Sequence, residues 1–252
     1  MTGGVDIHCH LLPGLDDGPG HMGEALAMAQ AAVLSGTTHM VATPHIDHTW
    51  RVRPAVIAAR AQALRDALSA EGIPLQVSTG AEIALSRLVD LSASELDSLR
   101  LGRGPYLLIE CPLSQTAGHF DSLLLRVHAR GDAVVLAHPE RSPLFQQEPE
   151  RLARLVAAGM LCSLTAGSLK GIFGAAVRRF SIQLLRDGLV HDLSSDAHDH
   201  LVRPPGLADA LAGVEDELPG ISRRREWLTE LVPAAILAGE AVPEPPVLSA
   251  QA

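Results

Sequence analysis

The run Val5-Asp6-Ile7-His8-Cys9-His10 reads as a short buried strand that ends on two histidines. A stretch of helical spacing follows at Met22–Leu34, then Gly36, then a second apolar run at His39–Thr43. Strand, helix, glycine stop and strand make one βα unit, because glycine commonly closes a helix in the left-handed conformation. The same order recurs. Further strands are predicted at Leu75–Ala81, Tyr106–Glu110, Ala133–Ala137, Leu161–Leu164 and Leu189–Leu193. Helices are predicted at Ala55–Leu68, Asp121–Ala129, Glu150–Ala158 and Ala175–Arg186, with Gly72, Gly131, Gly159 and Gly188 as stops. Near-continuous apolar strands joined by helices indicate a parallel sheet covered on both faces. About seven such units are more than a compact open sheet needs, so an α/β fold closed into an irregular barrel is predicted. One domain is expected over residues 1–240. Residues 241–252, with Pro243, Pro245 and Pro246, read as a frayed extended tail.

Side chains at i and i+2 of a strand point the same way, so His8 and His10 face one side together. A parallel barrel collects its reactive groups at the C-terminal ends of its strands. Here those ends carry His8 and His10, His45, Glu82, Glu110, His138 with Glu140 and Arg141, and Asp196 with His198. Asp16 and Asp17 lie in the loop after the first strand, and only the sixth strand end, with Ser163 and Thr165, lacks His, Asp or Glu. Taken singly, each has an ordinary explanation. Glu82 and Glu110 could favour a helix N-terminus, Asp196 could cap one, and His45 or His138 could be hydrogen-bonded core residues. Their coincidence at one end of one barrel favours a metal centre. Imidazole and carboxylate without thiolate suit Mn²⁺, Fe or Zn²⁺ in a reactive rather than structural site. The ligands exceed what one ion needs, which suits two or three divalent ions sharing bridging carboxylates. With Arg141 and Arg203 nearby, such a centre attracts a dianionic phosphate at contact distance.

The 252 residues carry a net charge of −9, which argues against nucleic-acid or broad membrane attraction. Lys170 is the only lysine. Cys9, Cys111 and Cys162 are too few and too widely spaced for a disulfide framework or a zinc ribbon. A cysteine-based phosphatase needs arginine six positions after its nucleophile; Leu15, Ala117 and Ser168 stand there instead, which closes that route. No run approaches the ~20 apolar residues of a membrane span, and the start lacks the pattern of a signal peptide. A soluble cytoplasmic protein is expected, its oligomeric state open.

Asp6-Ile-His-Cys-His10, Leu15-Asp-Asp-Gly-Pro19, Ala42-Thr-Pro-His45, Gly80-Ala-Glu82, Ile109-Glu110, Ala137-His-Pro-Glu-Arg141, Ser168-Leu-Lys-Gly-Ile-Phe-Gly174, Ser195-Asp-Ala-His198 and Arg203-Pro-Pro205 occur in this order. The set resembles the polymerase-and-histidinol-phosphatase family, and most closely its bacterial capsule and exopolysaccharide tyrosine phosphatases. Ile236-Leu-Ala-Gly-Glu240 is similar to that family's closing helix. The resemblance implies a distorted (β/α)₇ barrel with a trinuclear centre, most often of Mn²⁺. His8, His10, Glu82 and Asp196 would hold one ion. Glu82, Glu110 and His138 would hold a second, with Glu82 bridging. Asp17, His45 and His198 would hold the third. Arg141 and Arg203 would grip phosphate, and Asp196 or His198 could assist the leaving group.

The implied reaction is hydrolysis of phosphotyrosine by a metal-activated hydroxide. The implied substrate is a phosphotyrosine protein, such as the Tyr-rich tail of a polysaccharide-export tyrosine kinase. A small-molecule phosphatase acting on histidinol phosphate and a non-catalytic phosphopeptide-binding module are the alternatives. The segment Ile46-Asp-His-Thr-Trp50-Arg51 departs from the family pattern. Its Trp50 could stack on a substrate ring or simply anchor its own loop.

Overall fold

The computed structural model describes residues 3–114, 118–207 and 209–247. Its strands, in chain order, are β1 (Gly4–Cys9), β2 (Thr37–Ala42), β3 (His45–Ile46), β4 (Gln76–Thr79), β5 (Glu82–Ala84), β6 (Tyr106–Glu110), β7 (Ala133–Ala137), β8 (Leu161–Thr165) and β9 (Asp192–Ser194). Its α-helices are α1 (Met22–Leu34), α2 (Pro54–Ala70), α3 (Ala93–Ser98), α4 (Phe120–His128), α5 (Pro143–Gln147), α6 (Pro149–Ala157), α7 (Ala166–Leu169), α8 (Ala175–Arg186) and α9 (Val232–Ala238).

Every strand pair is parallel, as the βα grammar requires. The strands form two sheets, in the orders β1-β2-β4 and β3-β5-β6-β7-β8-β9, and not one continuous ring. The division has a local cause. The strand predicted at His39–Thr43 is β2, and it stops at Thr43-Pro44, where proline has no N–H for the ladder, before the separate short β3. The one predicted at Leu75–Ala81 is β4, and it stops at Gly80-Ala81 before the separate short β5. The two chain segments stay side by side through the breaks: Gly80 N donates to Ala42 O at the end of the β2–β4 pairing, and Glu82 N to Pro44 O at the start of the β3–β5 pairing. Beyond the far edge, Cys9 bridges Ala197 in parallel, and Asp196 N donates to His8 O at 2.9 Å.

The helices bury Ala and Leu faces against these strands. In α1 the buried residues are Ala25, Met28, Ala29 and Ala32, the i, i+3, i+4, i+7 set of one face. The glycines expected to stop helices do so with positive φ, from 66° at Gly72 to 100° at Gly159. The helix similar to the family's closing one begins earlier than expected. A π-helical turn at Trp227–Leu231 runs into α9, and Gly239 ends it in the left-handed region. There Gly104 admits no side chain, since a Cβ would fall 1.8 Å from Ile236 O.

The tail read as frayed is tied down over residues 241–247. Trp227 Nε1 donates to Pro243 O at 2.8 Å, Arg224 Nε donates to Pro246 O at 3.1 Å, and Val242 packs on the core. Residues 248–252 lie outside the described residues. Among the described residues, no helix is long and apolar enough to cross a membrane. The three cysteines are free and buried.

Candidate metal centre

Parallel strands bring their C-terminal ends to one edge, and the predicted groups meet there. β1 delivers His8 and His10, fully buried. β3 starts with His45 and β5 starts with Glu82, and these two are register partners. Glu110 ends β6, His138 follows β7, and Asp196 and His198 follow β9. His138 and Asp196 are the only described non-glycine residues with positive φ, 37° and 50°. Such strain persists where surrounding structure imposes it, and it aims both side chains inward. The imposing contacts are His138 N to Ser163 O and Asp196 N to His8 O.

Glu82 is the hub. Its Oε1 lies 2.7 Å from His138 Nε2. Its Oε2 lies 3.0 Å from His45 Nδ1, 3.3 Å from His8 Nε2 and 3.4 Å from His10 Nε2. None of these four Oε2-facing atoms, Oε2 included, has an aligned hydrogen bond. Buried polar atoms are normally paired, so lone pairs converging without proton-sharing geometry are the signature of a cation site. Ligand atoms within 4.8 Å of one another form three overlapping groups: His8, His10 and Glu82; His45, Glu82 and Glu110; and His10, Asp17, His45 and His198. Asp196 Oδ1 stands 3.5 Å from both His8 Nε2 and His10 Nε2. Asp17 Oδ1 stands 3.3 Å from His198 Nε2 and 3.5 Å from His45 Nε2. All nine predicted ligands thus sit in one cluster. The grouping differs from the implied one in three places. His45 joins Glu82 and Glu110 where His138 was expected, His10 reaches the Asp17 group as well, and Asp196 lies beside the His8 group and not in it.

The charges are strongly coupled. Burial alone would raise the Glu82 carboxyl, but His8, His10 and His138 hold it well below the usual range. Burial likewise disfavours a proton on His10, yet its contacts to Asp16, Asp196 and Glu82 raise it well above an ordinary histidine. Burial would also raise Asp196, and the His8 charge, the His10 contact and Arg203 hold it well below. The contact with His198 lowers Asp17. Glu110 is raised, by burial first and by the Glu82 charge second.

Arg141 and Arg203 converge on one atom, Asp196 Oδ2, with Arg141 Nη1 at 2.5 Å and Arg203 Nη2 at 2.6 Å. Both guanidinium groups lie over the Phe173 ring, at 4.4 and 5.7 Å from its centroid. The two phosphate-grip candidates therefore border the cluster and share a platform.

Several residues around the site went unread as site residues. Asp16 Oδ2 lies 2.7 Å from His10 Nδ1 and accepts from His45 N at 3.0 Å. Asp6 Oδ1 accepts from His8 N and Ser195 N, joining the ends of β1 and β9. Buried Glu140 accepts from Thr165 N and Ser168 Oγ. Asp199 accepts from Leu201 N, Val202 N and Arg203 N and so folds the Arg203 loop. For Asp16 a signal existed, since it adjoins Asp17. Asp6 and Glu140 stand inside quoted motifs that give no sign of these backbone contacts, and Asp199 looks in sequence like an ordinary loop acid. In the Trp50 segment, Asp47 Oδ1 accepts from Thr49 N and Trp50 N, and Ile46 bridges Arg51.

Known proteins share sequence and fold with this chain. The sequence profile described as capsular polysaccharide synthesis, CpsB/CapC, matches residues 4–225. The tyrosine-protein phosphatase YwqE of Bacillus subtilis is 36% identical over 214 residues, 84% of each chain. The tyrosine-protein phosphatase CpsB of Streptococcus agalactiae is 26% identical over 218 residues, 82% of this chain and 87% of that protein. Crystal structures of YwqE from Bacillus subtilis and CpsB from Streptococcus pneumoniae describe unique metal-dependent tyrosine phosphatases. The matching chain superposes with a TM-score of 0.83 at 32% identity, covering 96% of this chain and 99% of that one. On sequence and structure together, the chain belongs to the capsular polysaccharide synthesis CpsB/CapC family.

Proposed function

We propose that this chain is a metal-dependent protein-tyrosine phosphatase that hydrolyses phosphotyrosine in a partner protein. The observation that carries the reading is Glu82 Oε2, faced by three imidazoles within 3.4 Å without a hydrogen bond, in a cluster whose Asp196 is met by two arginines. His8, His10, Asp17, His45, Glu82, Glu110, His138, Asp196 and His198 would hold two or three divalent ions. Their hard oxygen and borderline nitrogen donors suit Mn²⁺, with Fe or Zn²⁺ also compatible. When bound, the ions supply Lewis-acid charge at phosphorus and lower the pKa of the attacking water.

The chain's own groups supply the rest. Arg141 and Arg203 turn from Asp196 to the equatorial oxygens of the phosphoryl group, where guanidinium matches two oxygens at once. Phe173 keeps both within reach. The phenol of tyrosine, with pKa ~10, leaves with little help, so His198 or Asp196 need hold a proton only briefly. No phosphocysteine is expected, since all three thiols are buried and burial raises each of them.

We further read the two sheets as one distorted (β/α)₇ barrel, with β2–β3 and β4–β5 each counted as one broken strand. The Cys9–Ala197 bridge supports closure. Residues 1–240 would form the catalytic domain and 241–252 its tail. A cytoplasmic place and a polysaccharide-export tyrosine kinase as substrate fit the family's link to capsule synthesis.

The test is turnover of p-nitrophenyl phosphate, a phosphotyrosine peptide and histidinol phosphate, before and after chelation and with Mn²⁺ restored. Peptide cleavage that is lost on chelation and returns with Mn²⁺ is the expected result. Cleavage of histidinol phosphate alone overturns the protein substrate. Peptide binding without phosphate release makes the chain a binding module.

A further inference from the structure

The segment Ser168-Leu-Lys-Gly-Ile-Phe-Gly174 has no part in holding ions, yet it walls a small cavity beside the arginines. The cavity has a volume of about 60 Å³ and is lined by Thr165, Lys170, Ile172, Phe173, Ser195 and Arg203, among others. Such a volume holds a few waters or one small polar group.

Its polar lining is unsatisfied in one direction. Thr165 is 1% exposed, and its Oγ1 has no hydrogen-bond partner. Lys170, the only lysine of the chain, makes no ion pair among the described residues. Arg203 commits Nη2 to Asp196, which leaves Nε and Nη1 free to donate. Three residues that can donate hydrogen bonds, Thr165, Lys170 and Arg203, line one cavity, and such a lining suits an anion. Ile172 and the Phe173 ring give it apolar walls, which suit the methylene stem of a side chain better than a bare inorganic ion.

We propose that this cavity is a second anion subsite, which takes the carboxylate of an acidic residue flanking the phosphotyrosine. The proposal rests on the phosphatase reading above. Arg203 then spans the two subsites and couples recognition of the flanking acid to the position of the phosphoryl group.

The test uses the full metal-loaded chain and two phosphotyrosine peptides that differ only by Glu or Gln beside the phosphotyrosine, with p-nitrophenyl phosphate as reference. The variants are Lys170→Gln, at an exposed position, and Thr165→Val, which keeps the side-chain shape. The wild type is expected to favour the Glu peptide by about three- to ten-fold in kcat/KM, mostly through KM, the size of one charge-assisted contact. Lys170→Gln should erase that preference and leave p-nitrophenyl phosphate turnover and metal content unchanged. Equal use of the two peptides by the wild type, or an undiminished preference in Lys170→Gln, overturns the subsite. So does weaker inhibition by inorganic phosphate in Lys170→Gln, which would make the cavity a phosphate site. A wild type that cleaves p-nitrophenyl phosphate but neither peptide overturns the phosphotyrosine reading itself, and the subsite with it.

Discussion

Asp16 Oδ2 lies 2.7 Å from His10 Nδ1 and also accepts the backbone N–H of His45, so one carboxylate orients two members of the cluster. The contact fixes the tautomer of His10 with Nε2 free to face Glu82 and Asp196. Partners of this kind are worth roughly 10–100-fold in metal affinity. Asp16→Ala is therefore expected to weaken metal binding by about that factor, with activity returning as metal is raised. Asp16→Asn, which keeps an acceptor, should lose less. Titration calorimetry with Mn²⁺ checks both, and unchanged affinity in Asp16→Ala would remove its orienting role.

Glu82→Ala takes away the oxygen that three imidazoles face. Activity is expected to fall to background and the bound metal by at least one ion per chain. Glu82→Gln keeps one oxygen and the shape, so it should fold like the wild type and still lose most activity. Elemental analysis beside p-nitrophenyl phosphate turnover reads both effects. Full metal content with normal turnover would rule out Glu82 as a shared ligand.

Glu110 and His138 show why so much of the centre was legible. Each is the chemically distinct residue where an apolar run stops, and parallel packing does the rest. β6 and β7 were predicted to the residue, because both faces of each are buried and the runs stop sharply. The limits were also physical. The last strand was placed at Leu189–Leu193, whereas β9 spans Asp192–Ser194. Asp192 is wholly buried and is accommodated by Ser163 Oγ at 2.5 Å, a partner on β8 that no periodicity reveals. The breaks that split the sheets lie at Pro44 and Gly80, inside motifs quoted for chemistry and read as strand ends. Over residues 241–247 the tail's backbone is held at Pro243 and Pro246 by Trp227 and Arg224, contacts that no local pattern of the chain announces. Phe173 was quoted in a motif, but its task is spatial. Nothing along the chain puts it under Arg141 and Arg203.

The Phe173 platform has its own consequence. Cation–π contacts contribute about 0.5–2 kcal/mol each, according to how dry they are. Phe173→Ala should let both guanidinium groups drift and raise KM for phosphate esters by about ten-fold, the factor that 1.4 kcal/mol corresponds to. Metal content should stay constant. Phe173→Trp keeps a π face and is expected to rescue most of the loss, whereas Phe173→Leu keeps bulk and should not. Rescue by Leu as complete as by Trp would show that packing alone, and not the stacking of arginine, sets the geometry.

Far from these arginines, His191 carries an acid-sensitive slice of stability. Its Nδ1 accepts from Cys162 N at 3.2 Å, and burial lowers its pKa to about 4, against an opposing backbone contact at Leu189. The unfolded chain titrates near ~6.5, so it binds the proton first. Neutral His191 therefore contributes fully above that pH, and the contribution is lost as pH falls toward 4. His191→Asn keeps an acceptor for Cys162 and cannot titrate. Relative to this variant, the wild type should lose about 2.5 kcal/mol between neutrality and pH 4.5. Urea unfolding of both proteins in chelator at each pH measures the difference without ion release overlapping it. A constant gap between the two proteins would mean that His191 takes up its proton in the folded state as readily as in the unfolded one.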